Sequence, residues 1–345
     1  MASFLNLIAK IIRAVVDSLA AILGLYYSTK YAAIIRRLGL PLVEPSERRG
    51  FVVLQIDGLA YIHLLEAIER GYAPYLQRLL RRGEFRLHPW RVGLPCTTPA
   101  VQAGIMFGNN DEIPAFRWYD KKAGLLIDCA QPAPVHAIQE RIASLRPGIL
   151  TGGSSYMNMF DGGASLSMFT LGAWNSKHFF ENVKGLGFLI LFLLNPFRSL
   201  KMFILAIWEY FTDLVQHTMA LLKQRTPHPL QRKFRFLRVV SNVVFREIQT
   251  FAVMIDIYRG VPAIYATYYG YDEVAHHYGP LSKPALRALH AIDRRIRRID
   301  GLRRLALTRE YDLYILSDHG MTSATPFKRV FGGTLGELAR DCADD

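Results

Sequence analysis

The chain is poor in cysteine. Cys96, Cys129 and Cys342 are odd in number and widely spaced, which excludes a disulfide framework and a cysteine-type zinc site. Their scarcity fits unpaired thiols or a reducing compartment. Long uncharged apolar runs are missing as well. A spanning helix needs about 20 apolar residues, and Lys10, Arg13 and Asp17 interrupt the first candidate, residues 4–23. The uncharged stretch Ser18–Thr29 is too short, and no small-residue cleavage site marks it as a signal peptide. Gly185–Phe197 is uncharged too, but Asn195-Pro196 breaks it and Arg198 and Lys201 follow. There are no internal repeats, and the Gly- and Ser-rich stretch 151–165 matches no P-loop. Acidic residues are also short, 29 against 42 Lys and Arg, leaving a net charge of +13. That balance favours anionic partners such as phosphate esters, nucleic acid or an anionic membrane face.

Present in quantity is apolar side chain, 51% of 345 residues, ample for one large domain with an insertion or for two domains. Residues 1–49 read as an amphipathic helix followed by a linker. Phe4, Ile8, Ile11, Ile12, Val15, Leu19, Ile22 and Leu23 recur at helical spacing, and Pro41–Pro45 marks the linker. The main domain is expected to run from residue 50 to residue 345, with a helical insertion at about residues 180–250. Its short apolar runs and its basic and aromatic flanks suit helices lying in a membrane interface. The chain is therefore expected to be membrane-associated on an unassigned side, with a cytoplasmic location as the alternative.

Strands are predicted over 51–56, 262–269 and 311–316, with a short one at 148–151. Helices are predicted at about 61–70, 74–82, 100–106, 239–258 and 284–305. Such alternation defines an α/β sheet with helices on its faces. In the last of these helices Leu286, Leu289, Ile292, Ile296 and Ile299 form an apolar stripe. Arg287, Arg294, Arg295, Arg297 and Arg298 lie off it, as a solvated face and not a specific nucleic-acid site.

The three long strands end alike. The first runs into Asp57, the second into Asp272 and His276, and the third into Asp318 and His319. Open α/β sheets bind ligands at the carboxyl ends of their strands, and carboxylate with imidazole is a donor set for Zn²⁺. Asp272 and His276 share a helix face if the turn after the strand is helical, although spacing alone leaves His277 a rival. Thr97 and Thr98, between Pro95 and Pro99, precede a helix, where hydroxyls cap the helix or meet an anion. Two cations about 3.5–4 Å apart would suit phosphoryl transfer, clamping the attacking and leaving oxygens.

The blocks LQIDG, PCTTPAVQAGIMFGN, YDEVAHHYGP and LSDHGM stand in this order. With them, residues 51–330 resemble the type I phosphodiesterase/nucleotide pyrophosphatase family of the alkaline phosphatase superfamily, in the manner of membrane-associated bacterial members. The resemblance implies an alkaline-phosphatase-like α/β sheet with helices on both faces, and a hydrolase of phosphoric ester or phosphoanhydride bonds. It implies two divalent metal ions, with zinc the best fit, and a small-molecule or lipid phosphoester as substrate. Thr97, two residues before Pro99, takes the place of the nucleophile, and Thr98 is demoted. Asp57, Thr97, Asp318 and His319 take the places of one metal's ligands, and Asp272 and His276 those of the other. Asp272, His276, Gly279 and Pro280 match the family's Asp-x-x-x-His-x-x-Gly-Pro block, which favours His276 over His277.

The chain departs from the pattern in two places. Gly270-Tyr271 stands where the family has Glu-Pro, and no histidine follows His319 to complete the second metal site. The expectation is a C-terminally incomplete chain, with Phe331–Ala343 a helix leading onward. Cys96-Thr-Thr-Pro lacks the Cys-x-Pro-x-Arg pattern of sulfatases. The rival from another class is a membrane-associated, non-catalytic binding protein with a degenerate metal site.

Overall fold

The computed structural model describes residues 30–36, 47–174, 196–222, 231–305, 308–325 and 327–344. The N-terminal amphipathic helix, the Pro41–Pro45 linker and the apolar run 183–195 lie outside them.

Five strands make one sheet: β1 (Gly50–Ile56), β4 (Ser154–Tyr156), β5 (Leu166–Met168), β6 (Ala263–Tyr268) and β7 (Tyr311–Leu316), in the order β5-β4-β6-β1-β7. Every pairing is parallel. A parallel sheet is covered on both faces, so its strands read as continuous apolar runs, as FVVLQI does. Alternation along β1 divides the cover. Val52, Leu54 and Ile56 enter one core and Val53 the other. The first core is built with α7 (Arg246–Arg259), α8 (Gly270–Tyr278) and α9 (Lys283–Arg303), together with α1 (Tyr61–Glu69) and α2 (Pro74–Arg81). The second is built with α3 (Thr98–Phe107) and α4 (Pro132–Leu145). The α/β class expected from the sequence is therefore present, with helices on both faces.

Four local expectations are corrected. The strand placed at 148–151 lies at Ser154–Tyr156, inside the stretch read as a Gly- and Ser-rich loop. Gly153 permits this: a Cβ there would stand 2.2 Å from the Ala263 carbonyl oxygen. The helix placed at 239–258 begins earlier, as α6 (Gln231–Val239), passes through a π-helical turn (Val240–Phe245) and continues as α7. A hairpin, β2 (Arg117–Asp120) with β3 (Leu125–Asp128), and helix α4 were not anticipated. Arg295 is buried and paired with Glu247, whereas its four arginine neighbours named above are exposed.

α5 (Pro196–Leu222) is one continuous helix that opens at the proline. Proline in the first turn lacks only an N–H that would have had no partner there. One side of α5 is tied down. Asp213 accepts from Arg238 Nη1 at 3.0 Å and from Tyr278 O–H at 2.8 Å, and Glu209 accepts from Arg238 Nε at 2.6 Å. α10 (Phe327–Phe331) and α11 (Leu335–Asp344) follow β7.

Candidate metal centre

β1 lies between β6 and β7, so the three strand ends that bear the candidate ligands are neighbours. Asp57 follows the last residue of β1, and its N–H still donates to the Tyr268 carbonyl at 3.2 Å. Gly58 then turns the chain with φ of 69°, and a Cβ at that position would stand 2.1 Å from Asp272 Oδ1. Glycine is required there twice, for the left-handed backbone and for the close approach. β6 runs directly into α8, which carries Asp272, and His276 Nε2 lies 3.3 Å from Asp272 Oδ2. His277 faces elsewhere, stacked on Phe234 with ring centroids 3.8 Å apart. The Gly270 departure has a local cause, since a Cβ there would meet Asn242 Oδ1 at 2.4 Å.

β7 delivers Asp318 and His319. The Gly58 N–H donates to Asp318 Oδ1 at 3.4 Å, and His319 Nε2 stands 3.4 Å from Asp57 Oδ1 and 3.7 Å from Asp318 Oδ2. His319 Nδ1–H donates to the Gly320 carbonyl at 3.1 Å, which fixes the ring and turns Nε2 toward the carboxylates. A backbone carbonyl on the far ring nitrogen is the usual support of a metal-ligating histidine. Ser317 locks the two loops together, since its Oγ accepts from the Leu59 N–H at 2.9 Å and donates to the His319 carbonyl at 2.8 Å. Ligand atoms of Asp57, Asp272 and His319 all lie within 4.8 Å of one another.

The Thr98 hydroxyl reaches this cluster. Its Oγ1 is 3.1 Å from His319 Nε2 and 3.4 Å from Asp57 Oδ1. Thr97 is the extended residue before α3, and its buried Oγ1 has no hydrogen-bond partner among the described residues. The proline spacing names Thr97. Thr98 makes the hydrogen-bond contacts to the cluster, while Thr97 Oγ1, like Asp272 Oδ1 and Asp318 Oδ2, is a buried polar atom without a hydrogen-bond partner among the described residues. One turn along α3, Gln102 fixes the helix to the sheet. It donates to Gln55 Oε1 and Thr267 Oγ1, both at 3.1 Å, and accepts from the Met159 N–H at 2.8 Å. No reading of the sequence singled out Gln102. The polar break it makes in an otherwise apolar helix face was the available signal.

The electrostatics suit a cation. Burial first, and then the charge of Asp318, push the Asp57 carboxyl well above the usual carboxylate range. Burial would lower the His319 imidazole, but its hydrogen bond to Asp57 and the charges of Asp318, Asp57 and Asp272 push it up to about 10. Asp272 Oδ1 and Asp318 Oδ2 are buried without a hydrogen-bond partner among the described residues. Buried carboxylate oxygens without partners are costly, and a divalent ion among them removes the cost. The donor set is oxygen and imidazole nitrogen, which fits Zn²⁺.

Fold and site together define an α/β protein with a candidate metal centre at the C-terminal edge of a parallel sheet. A family model for type I phosphodiesterase / nucleotide pyrophosphatase matches residues 206–340. That segment contains Asp272, His276, Asp318 and His319, and the match implies a hydrolase acting on phosphoester or pyrophosphate bonds. No curated protein and no solved structure matches the chain.

Proposed function

We propose that the chain is a metal-dependent phosphoester hydrolase with a threonine nucleophile. The observation that carries this reading is the convergence of Asp57, Asp272 and His319, within 4.8 Å of one another, beside the Thr98 hydroxyl. Asp57, Asp318 and His319, with the threonine, would hold one divalent cation, and Asp272 and His276 a second, with zinc the preferred ion. Such cations supply charge neutralisation of the phosphoryl oxygens. The chain's own residues do the rest. Thr98 opens α3, so the helix end that favours anions stands at the phosphate position. Its Oγ1 forms the bond to phosphorus as the bond to the alcohol breaks, and water then cleaves the phosphothreonine and restores the hydroxyl. Asp57 and His319 stand within reach of the proton that leaves Oγ1. Gly58 and Ser317 hold the carboxylates and the imidazole in register.

Hydrolysis of bis(p-nitrophenyl) phosphate by the zinc-loaded chain is the direct test. Turnover should vanish with a chelator and return with zinc. Metal binding without turnover under any loading would favour the non-catalytic binding protein instead.

A lipid surface is proposed as a further partner. α5 leaves Phe203, Ile204, Ile207, Trp208, Phe211 and Val215 exposed, at three- and four-residue spacing, on a chain of net charge +13. Among the described residues no helix is long and apolar enough to cross a membrane. The reading is therefore an interfacial seat, with aromatic side chains at the headgroup level and basic charge toward anionic lipid. Co-sedimentation should be strong with phosphatidylglycerol-containing vesicles and weak with pure phosphatidylcholine. Trp208→Glu with Phe211→Glu should reduce it by about tenfold or more. Undiminished sedimentation of that double variant would remove α5 from the contact.

A further inference from the structure

A cavity of about 450 Å³ lies beside the metal centre, between the ends of β1 and β7 and helices α1 and α2. Small-molecule sites fall in the range of roughly 300–1,000 Å³. Its interior is apolar, with Leu59, Leu64, Leu76, Leu79 and the half-buried Phe85 ring on its walls. Ser317 and His319 line it too, so cavity and metal centre share a wall. We propose that this cavity receives the apolar organic group of the substrate, and that the chain selects phosphoesters of long aliphatic alcohols over nucleotides. The proposal rests on the phosphoester reading above and names its substrate class.

Three observations carry it. The first is continuity: a phosphate on the cluster has its organic group at the cavity entrance, because His319 belongs to both. The second is the lack of polar partners inside, since Tyr61, His88, Trp90 and Cys96, which also line the cavity, are exposed and stand at its rim with Arg86 and Arg91. Ser317 Oγ is already engaged by the Leu59 N–H and the His319 carbonyl, and His319 Nδ1 by the Gly320 carbonyl. A nucleobase would bury donors and acceptors without partners there, weakening binding about tenfold or more. Each methylene buried from water instead strengthens binding by about fourfold at most. The third is charge. Arg86 and Arg91 line the cavity and are exposed, so positive charge stands at its mouth. An apolar interior with a basic mouth suits an amphiphile with an anionic head.

The test is calorimetric titration of the zinc-loaded chain with methyl-, butyl- and octylphosphonate, which resist hydrolysis, and with adenosine monophosphate. Kd should fall at least tenfold from methyl to octyl, and adenosine monophosphate should bind no tighter than methylphosphonate. Leu64→Trp, which fills the cavity, should flatten the series. If that variant does not fold, the series on the native chain decides alone. Equal Kd values for the three phosphonates, or adenosine monophosphate binding more tightly than octylphosphonate, would overturn the proposal. Turnover of bis(p-nitrophenyl) phosphate is scored separately. A steep series without turnover upholds the cavity and defeats the hydrolase reading, whereas turnover with a flat series does the reverse. Phosphatidic acid vesicles against soluble octyl phosphate then distinguish a membrane lipid from a free ester as the source of the chain.

Discussion

Thr98→Ala is expected to lose turnover by on the order of a thousandfold or more, the scale of removing a nucleophile. Thr97→Ala is expected to lose less than about tenfold, because removing a cap or packing group disturbs the site only indirectly. The contrast follows from geometry. Thr98 Oγ1 lies 3.1 Å from His319 Nε2, while the Thr97 hydroxyl is buried with no partner among the described residues. Deleting a buried hydroxyl that has no hydrogen bond costs little and removes a desolvation penalty. Thr97→Ala should therefore melt close to the native chain, and Thr98→Ala should lose no more than the net worth of its hydrogen bonds, about 1–2 kcal/mol, which separates chemistry from stability. A dead Thr97→Ala beside an active Thr98→Ala would transfer the nucleophile to Thr97, the residue indicated by the family's proline spacing. Similar losses in both, tracking melting temperature, would reduce the pair to shaping the turn.

Asp57→Asn should have opposite effects in the two metal states. Without metal, Asp57 is buried against Asp318, with Asp272 also near, and its carboxyl is pushed well above the usual range. A carboxyl whose folded-state value is raised contributes stability when protonated, and that contribution is lost as pH rises through the raised value. The neutral amide escapes this loss, so in chelator near neutral pH the variant should melt no lower than the native chain. With zinc at a hundredfold excess over its Kd, the native chain gains about 2.7 kcal/mol, or about 5 °C. The variant, lacking a charged ligand, should gain almost none of it. Calorimetric melts with and without zinc check both halves. A full zinc-induced shift in Asp57→Asn would remove Asp57 from the ligand set.

The α/β class was readable because parallel strands are buried on both faces and so appear as unbroken apolar runs. Tyr311–Leu316 has the predicted bounds, and β6 is one residue shorter at each end than predicted. β4 was not readable. Its three residues Ser154, Ser155 and Tyr156 carry no strand pattern, and their place is set by pairing with Ile264, Tyr265 and Ala266. The β2/β3 hairpin turns on Asp120, whose carboxylate accepts from the Lys122 and Ala123 N–H groups. That is a local turn signal with no long apolar run to announce it. Arg295 looked like its neighbours on a helical wheel, and only its partner Glu247, 48 residues earlier, accounts for its burial.

The sequence by itself determined the candidate donors: Asp57, Asp272, His276, Asp318 and His319 each follow an apolar strand, and that is a one-dimensional pattern. Tertiary structure decided which of them meet. The strand order β6-β1-β7 makes their ends neighbours, and no local pattern encodes strand order. It also gave two hydroxyls one residue apart different surroundings. Helix α3 starts at Thr98, Gln102 pins it to Gln55 and Thr267, and successive residues at a helix start point about 100° apart. A single step along the chain therefore separates a hydroxyl within hydrogen-bond distance of His319 and Asp57 from a buried one without a hydrogen-bond partner among the described residues.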